Sequence, residues 1–366
     1  MKITINQEKL AKALNIVSRV ASTRTELPVL NNVLFQAEGS SLILSATNLE
    51  IAVVEKIAAK VTKPGSITIP AKLLTEFITN LPAGLVTIEE KNNHLFISSG
   101  SYKSTINGTN GEDFPELPIL DEKSAVIFKV NIDDFKQAVA QTIVTSSNDM
   151  TRPALTGVYF NTFNKALYLA STDGYRLSEK KFINKVSSEI FAIVPTQSLQ
   201  EVLRSINDEH EELEILFNEN QVKFILGEIE MTSKLIDGSF PDYRQLIPKE
   251  TDITLQLDKD ELIRDTKLAG LFTYSSGGSI MLETKKAAGV LSVQSVASEL
   301  GENNSDINVK VNKDGKVTLN SRFLIDGLNC LTDKQISFGF SGKLNPCVLK
   351  NQNSDDYVHI IMPLKS

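Results

Sequence analysis

Apolar and polar positions alternate along this chain in two rhythms. Residues 1–6 alternate with a period of two, the mark of a half-buried strand, and residues 7–21 then place Leu10, Ala13, Leu14, Val17 and Ala21 on one helical face. Strand-like runs follow at 33–37, 41–47, 50–61 and 66–69. Pro70 opens a second helix over 71–81, with Leu73, Leu74, Phe77, Ile78 and Leu81 inward, and Pro82-Ala83-Gly84 stops it. Further strands are predicted at 85–90, 94–99 and 102–106.

The same order then recurs twice. A helix over 131–144 (Phe135, Ala138, Val139 inward) leads through strands to Pro195 and a helix over 196–206 (Leu199, Val202, Leu203, Ile206 inward). A helix over 258–271 (Leu262, Ala269 inward) leads through strands to a helix over 320–331 (Phe323, Leu324, Leu328, Leu331 inward). The second-helix starts fall at 70, 195 and 320, a period of 125. Thr47 and Thr172 keep that spacing in Leu44-Ser45-Ala46-Thr47-Asn48 and Leu169-Ala170-Ser171-Thr172-Asp173. Three copies of one α+β unit account for the length, with boundaries at 1–119, 120–249 and 250–366. Pro-rich connectors with a Phe-Pro pair, at 113–118 and 237–244, close the first two units and read for most of their length as plain linkers.

Composition narrows the function. Hydrophobic residues make up 41% and charged residues 23% of the 366 positions, ordinary for a globular protein with ample core. No run of about 18 apolar residues is present, and residues 1–6 do not resemble a signal peptide. Two cysteines, Cys330 and Cys347, fit neither a disulfide framework nor a zinc knuckle, so a reduced, cytoplasmic setting is expected. The net charge of −7 argues against a generic nucleic-acid coat. The six helices nevertheless carry ten acidic and ten basic residues, so the excess acid lies elsewhere and a weakly positive helical surface is permitted.

Catalytic motifs are missing: no P-loop, no GxGxxG, no GxSxG elbow. His94, His210 and His359 sit in unlike contexts. His210 lies in the acidic run 208–212 and reads as a solvated loop, and His359 as surface or pocket rim. These residues favour a binding protein without metal or cofactor, and leave open a metal-dependent hydrolase using 208–212 or a peptide-binding scaffold unrelated to DNA.

Four stretches carry a family resemblance: Arg24-Thr25-Glu26-Leu27-Pro28-Val29-Leu30, Ala170-Ser171-Thr172-Asp173-Gly174-Tyr175-Arg176-Leu177, Gly238-Ser239-Phe240-Pro241-Asp242-Tyr243-Arg244 and Ile360-Ile361-Met362-Pro363-Leu364. Together with the repeat they resemble the bacterial DNA polymerase III beta subunit, the sliding clamp, from end to end. The resemblance implies three processivity-fold domains, each of two helices backed by antiparallel sheets, closing into a ring as a head-to-tail homodimer. It implies a non-catalytic clamp on double-stranded DNA of any sequence, associated with the nucleoid. It further implies partners: the replicative polymerase catalytic subunit, a clamp loader and, through a peptide pocket, repair polymerases, ligase and mismatch-repair proteins.

Matched residue by residue, the implied pocket comprises Leu155, Thr172, Gly174, Tyr175, Arg176, Leu177, Pro241, Leu246, Leu344, Pro346, Ile360, Met362, Pro363 and Leu364. Its apolar slot suits an adaptable Met, its glycine admits a close backbone, and Tyr175 and Arg176 are expected as orienting polar groups at the rim. DNA contact falls to Arg24, Lys72, Asn148 and Arg152, although Asp149 and Met150 give the loop 148–152 an unusual character. Gln245 stands where a basic residue is common in the family. The implied dimer interface sets Phe77, Ile78, Lys103 and Ile106 against Leu271, Phe272, Glu299 and Glu302.

Overall fold

The computed structural model describes residues 1–21, 27–273, 277–297 and 301–365. The first repeat runs β1 (Lys2–Asn6), α1 (Gln7–Val17), β2 (Asn32–Glu38), β3 (Ser41–Thr47), β4 (Ile51–Ala58), β5 (Lys60–Lys63), β6 (Gly65–Pro70), α2 (Ala71–Thr79), β7 (Leu85–Lys91), β8 (His94–Ser99), β9 (Tyr102–Asn107) and β10 (Thr109–Asn110). The second runs β11 (Val126–Asn131), α3 (Ile132–Ile143), β12 (Gly157–Phe163), β13 (Ala166–Thr172), β14 (Arg176–Ile183), β15 (Phe191–Pro195), α4 (Thr196–Ser205), β16 (Glu212–Phe217), β17 (Gln221–Leu226) and β18 (Ile229–Lys234). The third runs β19 (Ile253–Asp258), α5 (Lys259–Gly270), β20 (Ser279–Lys285), β21 (Val290–Ala297), β22 (Gly301–Asn308), β23 (Lys310–Val311), β24 (Gly315–Asn320), α6 (Ser321–Asn329), β25 (Gln335–Phe340), β26 (Cys347–Asn351) and β27 (Tyr357–Ile361).

The helices begin where strand-ending side chains cap them. Asn6 accepts from the Lys9 amide, Asn131 from that of Asp133, Asp258 from those of Asp260 and Glu261, and Asn320 from those of Arg322 and Phe323. Pro70 closes β6 and only flanks α2, rather than opening it. The run 50–61 is two strands, not one: β4 pairs with β3 and β18, whereas β5 pairs with β1. Leu73, expected inward, is exposed. On α4 the buried face includes Ser198, Glu201 and Ser205, each of which finds a polar partner.

The chain divides into two compact units, Met1–Asp133 with Gln197–Leu235, and Asp134–Thr196 with Ile236–Ser366. The cause is visible in the sheets, whose strands pair antiparallel. Within the first unit one sheet has the order β10-β6-β2-β3-β4-β18-β17-β16-β11, so that β4 joins the first repeat to strands of the second. Within the second unit another has the order β15-β12-β13-β14-β27-β26-β25-β19-β23, where β14 joins the second repeat to the third. The remaining sheets, β5-β1-β7-β8-β9 in the first unit and β22-β21-β20-β24 in the second, leave β9 and β22 as edges.

In the second unit, Leu262 and Ala269 of α5 and Leu324 and Leu328 of α6 pack on one core with the inner faces of both sheets. His359, expected at a surface or rim, is wholly buried there. Its Nδ1 lies 2.9 Å from the Tyr357 hydroxyl, which donates to the Gln141 carbonyl at 3.2 Å. Burial, aided by the Arg176 charge, holds its pKa down to about 3, so the ring is neutral. Gly327 of α6 exists for this ring: a Cβ there would lie 2.7 Å from His359 Cδ2. Gly327→Ala, a better helix former in isolation, is therefore expected to lower stability by about 1–3 kcal/mol in denaturant titration.

In the first unit Glu55 of β4 is buried and its Oε2 lacks a hydrogen-bond partner among the described residues. Burial lifts its pKa from 4.5 to about 7, against the pull of Arg19. Arg19 is itself held by Glu201 at 3.1 Å and by Ser205 at 2.7 Å. The folded state thus binds a proton that the unfolded chain has released. This contribution favours the fold below pH 4.5 and is lost as pH rises toward 7. Glu55→Gln should flatten that slope and raise stability at pH 8 by about 2 kcal/mol, read from urea melts at several pH values.

Candidate peptide groove and open strand edges

The groove begins at the turn between β13 and β14. The Thr172 hydroxyl accepts from the Gly174 amide at 3.0 Å and donates to the Arg176 carbonyl at 2.7 Å. Asp173 Oδ1 accepts the Tyr175 and Arg176 amides, both at 2.9 Å. Gly174 takes φ +91°, which suits a residue without Cβ. The first repeat builds the same turn from Thr47 and Asn48, with Leu49 forced to φ 73°. The turn belongs to the scaffold; Gly174, Tyr175 and Arg176 are what the second repeat adds.

Strand pairing assembles the floor. Leu177 on β14 stands opposite Ile360 on β27, and Ile360 opposite Val348 on β26. These three cluster with Ala170, Val358 and Tyr243, and with Tyr159, Phe240 and Ile247 at their margin. The Met362 amide donates to the Tyr175 carbonyl and the Leu364 amide to the Thr318 carbonyl, both at 2.8 Å, which fixes the C-terminal segment beside the turn. Pro346 precedes Cys347, the partner of Ile361, so the register brings it toward Met362. Tyr175, Leu246 and Leu344 offer exposed apolar surface, Pro241 is exposed, and Pro363 and Leu364 are half-buried. Leu155 and Thr172 are almost closed off and back the groove rather than line it.

Arg176 differs from the expectation of a free rim donor. Its guanidinium is paired with Asp173 at 2.9 Å and with Asp326 of α6 at 2.7 Å, and lies 4.4 Å over the Phe323 ring. Two carboxylates and an aromatic face engage it, so it braces the wall.

The connector 237–244 is likewise no plain linker. Phe240 stacks on Tyr159 with centroids 4.8 Å apart, and the buried Tyr243 donates its hydroxyl proton to Glu179 and accepts from Asn161 at 3.2 Å. Burial and the Glu179 charge push the Tyr243 pKa upward. Arg244 pairs with Glu179 at 2.8 Å and stacks 3.8 Å over Phe163. Sequence reasoning missed Glu179, Tyr243, Val348 and Val358. The aromatic-cation cluster Phe240–Arg244 was the available signal for Tyr243.

The other implied residues scatter. Arg24 and Glu299 lie outside the described residues. Lys72 and Asn148 are exposed. Arg152 pairs with Asp149 at 3.3 Å, and its Nη1 comes within 3.4 Å of where a side chain on Gly174 would start, so it stands at the groove's turn. Ile78 is buried in the core of its own unit, and the side chain of Ile106, on the edge strand β9, is nearly closed off in the single chain. Phe77 and Phe272 are half-buried and Leu271 is exposed. Lys103 and Glu302 lie exposed on the edge strands β9 and β22. In the run 208–212, His210 Nδ1 accepts the Asn207 amide, and among the described residues no group of three or more His, Cys, Asp or Glu could hold a metal ion. No helix of the described residues is long and apolar enough to cross a membrane.

Repeated α+β units whose sheets run from one repeat into the next define a clamp-domain protein. Comparison with known proteins agrees. Three family profiles match in succession: DNA polymerase III beta subunit, N-terminal domain (residues 1–118), central domain (129–242) and C-terminal domain (244–365). The beta sliding clamp of Staphylococcus aureus is 26% identical over 378 residues, covering all of both chains. The DNA polymerase sliding clamp of Bacillus subtilis superposes with a TM-score of 0.96 at 25% identity, covering all of this chain and 99% of that one. The sliding clamp of Pseudomonas aeruginosa, solved bound to griselimycin, gives 0.94 at 26% identity over the whole of both chains.

This chain belongs to the DNA polymerase III beta subunit family. That family is a non-catalytic processivity subunit, which agrees with the lack of a catalytic cluster in the sequence.

Proposed function

We propose that this protein is a sliding clamp: a homodimer, closed head to tail, that encircles duplex DNA and tethers the replicative polymerase catalytic subunit. The groove on β14 and β27 receives a short peptide from that subunit. A clamp loader follows as a further partner, and repair polymerases, ligase and mismatch-repair proteins as partners of the same groove; 1–119, 120–249 and 250–366 are the three domains of the clamp. Lys72 and Asn148 face the DNA in this reading, whereas Arg152, first expected with them, stands at the groove's turn. A helical surface with no net charge suits a protein that must slide, since phosphate contacts hold in proportion to the charges neutralised.

The carrying observation is a missing strand joint. The repeats are joined within the chain at β4·β18 and at β14·β27. By repeat position, β22 corresponds to β4 and β14, and β9 to β18 and β27. Each is an edge in the single chain. Pairing β22 of one copy with β9 of another fuses a four-stranded and a five-stranded sheet into the nine-stranded kind already present twice. Open edges of this length call for a partner.

The β4·β18 register sets Ile229 opposite Glu55. Carried over with helix-facing residues matched, it sets Ser104 opposite Asn303 and Lys103 opposite Asn304, with Glu302 diagonal to Lys103. Opposed residues on paired strands lie within disulfide reach. The double variant Lys103→Cys with Asn304→Cys should therefore cross-link between chains on oxidation. No interchain bond there, or at 302 or 306, would overturn the edge pairing.

A further inference from the structure

The floor of the groove does not end at Val348. Val348 stands opposite Gly339 on β25, and Gly339 opposite Thr254 on β19, so one cross-strand row runs Leu177, Ile360, Val348, Gly339, Thr254. The next row on the same face carries Val358, Lys350 and Ser337. At Val348 the character of the row changes. On one side is the apolar cluster; on the other is a cavity of about 340 Å³ that Val348 also lines. Hydroxyls of Thr254 and Ser337 and the Lys350 side chain form its base, and residues 248–251 its wall.

The wall is fixed in place. Thr251 lies so close over Gly339 that a Cβ there would sit 2.3 Å from the Thr251 hydroxyl. Lys249 and Glu250 are also on this wall, so the cavity has two ammonium groups against one carboxylate. Neither lysine has an ion-pair partner among the described residues, whereas Lys180 and Lys223 are both paired. The whole chain carries −7, so attraction for an acid here is local to these lysines and owes nothing to the overall field.

We propose that this cavity is a second subsite of the groove, which takes an acidic side chain outside the apolar segment of the docked peptide. The proposal rests on the reading of the groove as a peptide site. Strands about 4.8 Å apart put Thr254 roughly 14 Å from Ile360, and an extended chain covers that in about four residues. The acid then sits about four positions beyond the apolar anchor.

The test uses the intact protein and, as core probe, the shortest segment of the replicative polymerase catalytic subunit that binds it. The core is lengthened at each terminus in turn by Ala-Ala-Ala-Asp or Ala-Ala-Ala-Asn, and affinities are read by fluorescence polarisation. At one terminus the aspartate peptide is expected to bind about three- to fivefold tighter than its asparagine twin, as a partly exposed ion pair allows. Lys350→Gln should erase that difference and leave the core peptide's affinity unchanged, and raised salt should narrow it. Equal affinities at both termini, or a difference that survives Lys350→Gln, overturn the subsite while the groove stands. If no segment of that subunit binds the wild-type protein, the groove is overturned, and the subsite with it.

Discussion

Proline at Lys103 and proline at Ser104, made singly, are expected to give two different failures. On an edge strand successive amides point alternately to the neighbouring strand and out to the open side. One of the two prolines removes a bond to β8, and its cost appears as a lower melting temperature of the single chain. The other removes an outward amide, and its cost appears in the assembly: the mass by light scattering falls from twice 40.3 kDa toward 40.3 kDa. The effect is large because the joint is a ladder of few bonds, and a mid-strand proline both deletes one and spoils its neighbours. Dimers of unchanged strength in both variants would place the interface elsewhere.

Ending the chain at Ile361 is the second large effect. Residues 362–366 contribute Met362, Pro363 and Leu364 to the groove, held there by the amide bonds to Tyr175 and Thr318. The core beneath ends at Ile361, and the edge strands β9 and β22 are separate elements, so fold and dimer mass should survive. Polymerase peptide affinity is expected to fall about 100-fold, the scale of losing a cluster of central apolar contacts. Binding within a few fold of wild type would remove the C-terminal segment from the groove.

What is legible in the sequence depends on the range of the interaction. The six helices were legible because their periodicity and caps are local: Asn6, Asp258 and Asn320 announce their helices within three residues. The repeat was legible because a period needs no geometry. Strand joints such as β14·β27 were not, since they pair residues far apart and either strand alone looks like any other.

The same limit explains the misplaced residues. Ile78 and Ile106 read as interface by family position, and only the packed core shows how deeply their side chains are buried in the single chain. His359 alternates as a surface residue would, yet Gly327 leaves it a space inside. Arg176 was visible as a groove residue. Its bracing role required Asp326 and Phe323, both distant in sequence. The connector's anchoring by Tyr243 could have been suspected from its aromatic content, since a free linker has no use for Phe240, Tyr243 and Arg244 together.

In the proposed function the protein holds DNA by enclosing it. Loaded by the clamp loader proposed above onto nicked circular duplex DNA and passed through a gel-filtration column in moderate salt, the protein should co-elute with the circle. Linearising the DNA with a single cut should release it. Equal retention on circular and linear DNA would contradict enclosure and leave an ordinary, salt-sensitive DNA-binding protein in its place.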